Sequence, residues 1–501
     1  MKISKIKRSR DAWKEKAKKR GAEIRNARKT SKARKKRTNN TQYKEEIRRL
    51  RDELEALRAS SNNSTLPAAN EAVVQQKTLC VLVVIFGVVS FRSVPRILQI
   101  FQPFLPAKTR IAHFTSVINW ALRAGIAIFN RVSMIAEPWI AIIDCSIDIG
   151  IRKALVVLRV PLNALQNNQR AIGLKDCECI GMEISPTWNG QLVSEALVNI
   201  FNKSGFPTAI IKDGGTDLNK GVELLREQKP DQKILVIDDV GHFAANALKA
   251  LFATSESFVK FTEIISKGAA RIRQTNLAWL LPPKIRTKGR FQGIGSVAGW
   301  AQKTLALISG KGRAQEGSDV SKARKAFAGL AKLRPFLTRF CFTCAVVEEF
   351  LKLMKTKGLN QATYIGAKNI LAKLPNRSLV QSRLSDWLEK HIDIHRSLPI
   401  GPAPLIVSSD VLESLFGKFK TIIQRSPAAE LNRLIYIIPL LCGNHNATNI
   451  DSALTECSHI KMLKQIVQTI PQTMRQQRTN KLNKNAKVVP KSGDFSRTKT
   501  G

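Results

Sequence analysis

The sequence is poor in acidic side chains and in long apolar runs. It has 38 Asp and Glu against 82 Lys and Arg, which gives a net charge of +44 over 501 residues. The apolar run 79–89 is much shorter than the ~20 residues that cross a bilayer. We therefore expect a buried helix or strand there, and no membrane span.

Other familiar features are missing as well. The first forty residues are too charged for a secretory signal, and the eight cysteines are scattered, so we expect mostly reduced, buried thiols in an intracellular protein. We find no P-loop, no dinucleotide fingerprint and no fixed-period repeat. A hydrophobic content of 44% excludes global disorder.

The excess of positive charge extends over the whole chain. Residues 1–40 hold eighteen Lys and Arg against three acids, which leaves +29 of the +44 for the remaining residues. Such a charge on the body of a protein indicates a polyanionic partner, and nucleic acid is the most common one. We expect residues 1–40 to be disordered until they bind.

Helical patterns dominate the first part of the chain. Residues 43–58 predict a short amphipathic or coiled-coil helix, followed by a linker, so 1–70 forms a basic tail with one helix. Within 71–135, residues 94–101 and 111–124 predict two helices, the second ending at Gly125. They suit a DNA-binding helix-turn-helix or a small helical bundle with no role in DNA binding.

The periodicity changes at residue 139. Alternating and continuous apolar runs predict strands, and 3.6-residue spacing predicts helices, in the order β-β-β-α-β-α-β. The predicted strands are 139–147, 153–160, 177–184, 208–213 and 233–238. The fold class is therefore α/β, with a mixed sheet and helices on its faces.

Acidic residues fall at notable places in this order. Asp144 in IIDCS lies on the first strand, Asp213 in IIKDGG ends the fourth, and Glu413 lies in the helical segment DVLESLFGKFK. This arrangement resembles the ribonuclease-H-like core of DDE transposases and integrases. The long gap before Glu413 and the motif Asp239-Val-Gly-His242 resemble the Mutator and hAT-like branches, in which a helical domain is inserted before the glutamate helix.

The resemblance implies a domain organisation and a site. The catalytic core would comprise 136–252 and 400–425, with a helical insertion at 253–399 and C-terminal helices with a basic tail at 426–501. Asp144, Asp213 and Glu413 would hold two Mg²⁺ or Mn²⁺ ions roughly 3.5–4 Å apart, which activate the attacking oxygen and stabilise the leaving one. His242 would help to position the scissile phosphate.

Each of these residues also has a purely structural explanation. Asp144 and Asp213 could be turn residues, and Asp148 shares a strand face with Asp144 by period two, although it lies in the predicted hairpin turn. Asp410 and Glu413 have capping-box spacing, yet Glu413, Gly417 and Lys420 share one helical face. Asp239 could simply cap the helix that contains His242.

Several basic and aromatic residues are candidates for contacts with DNA. The loop KIRTKGR lies between prolines and a glycine-rich segment, and Trp279 and Trp300 flank it. A tryptophan in the insertion of hAT-like enzymes stacks on a flipped base, although a core position is commoner for tryptophan. The DNA-contact candidates are Lys284, Arg286, Lys288, Arg290, Lys418, Lys420, Trp279 and Trp300.

A zinc site is a weaker alternative. Cys341 and Cys344 form one pair and Cys442 and His445 another, but the pairs are far apart in sequence and lie in apolar helical patterns. We interpret them as core residues.

The sequence therefore predicts a Mg²⁺-dependent DNA transposase that binds terminal repeats and cuts and rejoins DNA. It would act as a dimer or larger synaptic complex, in the cytoplasm on the nucleoid of a bacterial host. The alternatives are a decayed or domesticated DNA-binding protein without catalysis, and a ribonuclease-H-like nuclease without strand transfer.

Overall fold

The computed structural model describes residues 68–104, 110–149, 152–167, 172–285, 289, 291–310, 315–423, 433–469 and 478–482. Two compact units are distinguished, Met1–Val73 and Val74–Gly501, and the sheet lies in the second. The basic tail 1–40, the helix predicted at 43–58, and Arg286, Lys288 and Arg290 lie outside the described residues.

The helices and strands alternate in the order expected from the sequence. The strands are β1 (Trp139–Ile149), β2 (Arg152–Pro161), β3 (Glu178–Ser185), β4 (Ala209–Lys212) and β5 (Leu235–Asp238). The helices up to the end of the sheet are α1 (Ala68–Gly87), α2 (Ser93–Phe101), α3 (Phe114–Asn130), α4 (Leu162–Asn167), α5 (Gly190–Ser204), α6 (Thr216–Gln228) and α7 (Val240–Phe252).

The remaining described part of the chain is helical. Its α-helices are α8 (Glu256–Ile272), α9 (Ile294–Ile308), α10 (Asp319–Ala326), α11 (Arg334–Lys357), α12 (Gln361–Leu371), α13 (Leu379–Ser397), α14 (Asp410–Ile423), α15 (Ala447–Glu456) and α16 (His459–Thr469). A long 3₁₀ helix covers Arg433–Leu441. The prediction that 253–400 is largely helical is confirmed.

The five strands form one mixed sheet in the order β3-β2-β1-β4-β5. β1, β2 and β3 are antiparallel neighbours, whereas β4 runs parallel to β1 and β5 parallel to β4. The hairpin joins β1 to β2 directly, while α5 and α6 provide the crossovers that parallel strands need. The α/β class and the mixed sheet are therefore as predicted.

Both faces of the sheet are covered, which explains why β1 reads as a continuous apolar run rather than an alternation. Ala141 and Ile143 face a core that they share with α5 and α6. Ile140 and Ile142 face the larger core, which includes residues from α3, α7, α14 and the helices of 253–399. The residues that follow Ile142 by period two therefore point toward the helical region.

One prediction about the first helices needs correction. The second predicted helix does not end at Gly125, because α3 continues to Asn130. A Cβ at Gly125 would lie 1.9 Å from the carbonyl oxygen of Tyr436, so this glycine permits close packing against the 3₁₀ helix. Most of α3 is buried or half-buried, and the role of this region in DNA binding stays a prediction.

The apolar run 79–89 lies largely within α1, where Cys80, Val81 and Val84 are buried. In the part of the chain that the structure describes, no helix is both long and apolar enough to cross a membrane.

Candidate active site

Three aspartates lie on or directly after three adjacent parallel strands: Asp144 lies within β1, and Asp213 and Asp239 directly follow β4 and β5. Ile142 of β1 is paired with Ile211 of β4, and Lys212 of β4 is paired with Asp238 of β5. Continued past these pairs, the same register would set Asp144 beside Asp213, and Asp213 beside Asp239, one strand spacing of roughly 4.8 Å apart in the backbone. Sequence reasoning anticipated the first two neighbours.

A β-bulge lies directly after Asp144. β1 pairs Asp144 with Val156 but Ile147 with Ala154, so β1 has one more residue than β2 across this step. Bulges redirect side chains and are common beside active sites. The unbroken alternation that grouped Asp148 with Asp144 therefore does not hold, and the side chain of Asp148 lies outside what the structure describes.

Asp213 forms the turn that its Asp-Gly sequence predicts. Its Oδ1 accepts a hydrogen bond of 2.9 Å from the backbone N–H of Gly215, which is the N-cap of α6. A Cβ at Gly215 would lie 2.9 Å from Oδ1, so glycine leaves room beside the carboxylate. The turn and an open position for a ligand are therefore compatible.

Asp239 is the N-cap of α7, but it does more than cap one helix. Its Oδ1 accepts hydrogen bonds from the backbone N–H and the ring Nδ1 of His242, at 2.7 and 2.9 Å. Its Oδ2 accepts from the backbone N–H and the hydroxyl of Ser409, at 2.6 and 3.0 Å. This buried carboxylate therefore joins the start of α7 to the start of α14.

The charges of this region act on one another. Burial disfavours the charged form of Asp239, but the hydrogen bonds from His242 and Ser409 and the charge of His242 outweigh it and lower the pKa to about 2. Burial also opposes protonation of His242, yet the hydrogen bond and charge of Asp239, with the charges of Asp213 and Asp144, raise the pKa of the imidazole. Asp144, Asp213 and His242 therefore share one electrostatic environment.

Cys145, which follows Asp144, reports the same environment. Burial, and then the negative charges of Asp144 and Asp213, raise the pKa of its thiol to about 12. The thiol therefore stays protonated and is a poor nucleophile. The candidate functional groups of this edge are therefore carboxylates and an imidazole.

Glu413 lies on the exposed face of α14, in the first turn. The capping box that its spacing allowed is not formed, because the N–H of Asp410 donates to the Ser408 hydroxyl at 3.2 Å. The carboxylate of Asp410 pairs with Lys355 at 2.7 Å. Among the described residues, no hydrogen-bond or ion-pair partner holds the Glu413 carboxylate.

The exposed face of α14 has the composition that the sequence indicated. Glu413, Gly417 and Lys420 are exposed, while Leu412 and Phe416 are buried. The helix packs against β1, the strand of Asp144. Its contacts thus anchor the helix and leave the stripe of Glu413 and Lys420 open.

The structure brings Asp144 and Asp213 together but does not assemble three acids into a metal centre. Within the described ranges, no three His, Cys, Asp or Glu side chains form a group that could hold a metal ion. Mg²⁺ needs hard oxygen ligands but commonly uses only one or two carboxylates, with waters and substrate phosphates completing its shell. Asp144 and Asp213 fit that requirement.

The structure shows which of the predicted DNA-contact residues are exposed and which are packed against other residues. Trp279 is 64% exposed, and Lys284 and Lys420 are exposed, whereas Lys418 is half-buried. Trp300 is a packing residue: its indole N–H donates to the carbonyl of Leu280 at 3.0 Å, and its ring meets Phe327 edge-on at 5.2 Å. Trp300 is therefore a packing residue, as the alternative explanation for the tryptophans expects. Trp279 is exposed and stays a candidate for contact with DNA.

The zinc alternative finds no support among the described residues. Cys341 and Cys344 lie in α11, where the Cys341 thiol donates to the carbonyl of Ala298 at 3.2 Å. Burial raises the pKa of the Cys341 thiol to about 11, which disfavours the thiolate that zinc binding needs.

Sequence reasoning missed two parts of this edge. Lys355, on the distant helix α11, pairs with Asp410 and lies 3.2 Å from where a Cβ of Gly241 would be, and no local pattern marks it. Ser409 precedes a helix, where a serine is a common N-cap residue. Its hydrogen bond to Asp239 spans 170 residues, and the sequence does not indicate this contact.

No protein-family model and no curated protein matches the chain. Among solved structures, the chain is similar to the Drosophila P element transposase in its strand transfer complex. The sequence identity is 12%, the TM-score is 0.37, and the match covers 79% of this chain and 98% of that one.

Proposed function

We propose that this protein is a DNA transposase with a ribonuclease-H-like catalytic core, which binds element ends and catalyses metal-dependent cleavage and strand transfer. The observation that supports it best is the position of Asp144 on β1 and of Asp213 directly after β4, the neighbouring parallel strand. The net charge of +44 supports a nucleic-acid partner. The order of the elements supports the assignment of the core.

The site residues have distinct roles in this proposal. Asp144 and Asp213 hold Mg²⁺ or Mn²⁺, and Glu413, on the open face of α14, completes a two-ion site when DNA is bound. The ions supply Lewis acidity for the attacking and leaving oxygens of the phosphodiester. His242, whose raised pKa favours the imidazolium, donates a charged hydrogen bond to the scissile phosphate.

Exposed basic side chains would hold the DNA backbone. Lys420 shares the exposed face of α14 with Glu413, and Lys284 precedes the loop KIRTKGR. Trp279, a largely exposed residue, would stack on a base. Two element ends must be held at once, so a dimer or larger assembly follows from the reaction.

The decisive test is an excision assay in cells with Asp213→Asn, which preserves the shape of the side chain but removes its charge. Excision should be abolished, because a neutral amide is a poor ligand for Mg²⁺. Asp231→Asn is the matched control, since Asp231 is exposed in the 3₁₀ turn Pro230–Gln232, away from the strand ends. Unchanged excision by Asp213→Asn would overturn the assignment.

Glu413→Gln tests the role of Glu413 independently of Asp144 and Asp213. Its carboxylate is exposed and lacks a described partner, so the variant should keep the melting temperature and lose DNA cleavage by the purified protein. If cleavage persists at the wild-type rate, Glu413 is not part of the site, and the two-ion proposal is wrong.

Two further measurements distinguish the alternative functions. A DNA-binding protein without catalysis would retain affinity for DNA but release no cleaved strand in Mg²⁺ or Mn²⁺. A nuclease without strand transfer would cut DNA but never join a 3′-hydroxyl end to a target duplex. The proposal requires both products from the wild-type chain.

A further inference from the structure

A second charged network lies directly behind the strand ends. Lys212, the residue before Asp213, is only 5% exposed, although a buried ammonium is costly unless it is compensated. Its Nζ donates to Oδ1 of Asp238 at 2.7 Å and to the amide oxygen of Asn219 on α6. Lys212 therefore ties the end of β4 to the end of β5.

Asp238 extends this tie to the helical region 253–399. Its Oδ2 accepts from Nζ of Lys390 at 2.7 Å. Its backbone N–H donates to Nε2 of His391 at 2.9 Å, and its carbonyl accepts from the indole N–H of Trp387 at 3.1 Å. One residue of the sheet thus contacts three side chains of α13.

The histidine in this network is a fixed structural acceptor. Because Nε2 of His391 accepts the Asp238 N–H, its proton lies on Nδ1, which donates to the carbonyl of Trp387 at 2.6 Å. The ring is fully buried and stacks on Trp387 with centroids 4.2 Å apart. Nothing in this arrangement adapts easily to a shift of α13.

The backbone carries the tie to the candidate site. The N–H of Asp239 donates to the carbonyl of Lys212 at 2.9 Å, and Asp213 is the next residue of the same segment. A displacement of Asp238 or of Lys212 therefore moves Asp213 and Asp239 with it. Such small displacements are expensive in catalysis, since about 1 Å can cost roughly 100-fold in rate.

We infer that Asp238 is a positioning residue, which fixes the Asp213 carboxylate through Lys212 and joins it to helix α13. The catalytic consequence rests on the proposed function, whereas the mechanical link between α13 and the end of β4 does not. Movement of the helical region on binding DNA would be transmitted to the metal-binding edge through Asp238.

The test uses two variants and a matched control in the full-length protein. Asp238→Asn keeps the shape of the side chain and removes its charge, and Lys390→Gln removes the half-exposed partner. The control is Lys368→Gln. Lys368 of α12 forms a comparable exposed ion pair at 3.1 Å with Glu389, which lies on α13 beside Lys390. Amide hydrogen exchange of peptides covering 206–215 is measured without metal or DNA, and cleavage rate and DNA affinity in EDTA are measured in parallel.

Asp238→Asn should speed exchange at 206–215 and reduce the cleavage rate by about 10-fold or more, with DNA affinity in EDTA unchanged. Lys390→Gln should show a smaller effect in the same direction, and Lys368→Gln none. Wild-type exchange in Asp238→Asn would overturn the inference. If that variant does not fold, wild-type exchange and cleavage in Lys390→Gln would overturn it instead.

The two proposals fail in different ways. If the wild-type chain cleaves no DNA, the proposed function is wrong, while the exchange data still decide whether Asp238 holds the end of β4. If the wild type cleaves and both variants match it, only the positioning role is wrong.

Discussion

Asp239 is a single buried carboxylate that joins the starts of two helices at the candidate site. It accepts hydrogen bonds from His242, three residues further along the chain, and from Ser409, 170 residues further along. Each belongs to the start of a helix, where backbone N–H groups lack intrahelical partners and the helix dipole favours a negative charge. The same carboxylate thereby sets the position of the imidazole and of the helix that carries Glu413.

Removing this carboxylate should destabilise the protein strongly. Asp239→Ala leaves the donors of His242 and Ser409 without an acceptor, and we expect a loss of about 3 kcal/mol in the free energy of unfolding. Urea denaturation of both proteins measures the difference, with Asp231→Ala as an exposed control. A loss no larger than that of the control would contradict the shared-cap role.

The same residue predicts a sensitivity to acid. Its pKa falls from the ordinary 3.8 to about 2 on folding, so its contribution to stability is complete above the unfolded-state value and disappears as the pH falls through the folded-state value. As the pH is lowered from 3.8 to about 2, the free energy of unfolding should therefore fall more for the wild type than for Asp239→Asn. Parallel denaturation curves for the two proteins across this range would argue against it.

The pKa of His242 offers a test of the site that needs no activity. The charges of Asp213 and Asp144 help to raise it, so Asp213→Asn should lower it, and Asp231→Asn should not. With six histidines in the chain, an NMR titration of the ring resonances can follow the pKa of His242. If the pKa of His242 is the same in Asp213→Asn as in the wild type, the Asp213 carboxylate lies too far from the imidazole to act on it.

The stabilisation by the His242 imidazolium is fully present below the ordinary pKa of 6.5. It is lost as the pH rises through the raised pKa of the folded state.

At the scale of elements, the sequence predicts the sheet well and its irregularities poorly. Alternation and helical spacing locate β1 to β5 to within about two residues, because each element buries a regular apolar face. The bulge after Asp144 has no sequence signal, since it depends on which partner residues β2 presents. The same is true of Asp238, whose contacts all come from tertiary packing.

Two glycines illustrate how the same residue type misleads or informs. Gly125 has the sequence context of a helix end but lies inside α3, against the carbonyl of Tyr436. Gly417 lies inside α14, and a Cβ there would meet nothing within 4 Å. The distinction is visible only from the neighbours that the fold provides.

These glycines should respond oppositely to alanine. Gly125→Ala forces a methyl group into backbone and should cost about 1–3 kcal/mol of stability. Gly417→Ala removes the conformational freedom of glycine from an exposed helix position and should stabilise by about 0.5–1 kcal/mol. Thermal melting of the two variants checks both, and a shift of the same sign in each would contradict the packing described here.

At the scale of the molecule, the net charge of +44 dominates. A protein that neutralises phosphates releases condensed counterions, so its affinity for DNA falls steeply with salt. The part of the charge outside residues 1–40, +29 of the +44, is the larger one. The body of the protein should therefore bind DNA even when the basic tail is removed.

Binding of duplex DNA should weaken by roughly 1,000-fold or more between 50 and 200 mM salt. A chain lacking residues 1–40 should show a shallower slope of log affinity against log salt, but not a flat one. Fluorescence anisotropy with a labelled duplex measures both slopes. A flat slope for the shortened chain would assign all the DNA binding to the tail.

The bond between Asp239 and Ser409 also has a consequence in time. Ser409 is synthesised 170 residues after Asp239, which at ribosomal speeds corresponds to roughly 10–30 s. During that interval the carboxylate of Asp239 can cap α7 but not α14, so this edge of the sheet is incomplete until Ser409 has been synthesised. The helices of 253–399 emerge first, and the last segment to leave the ribosome and dock here is the one that carries Glu413.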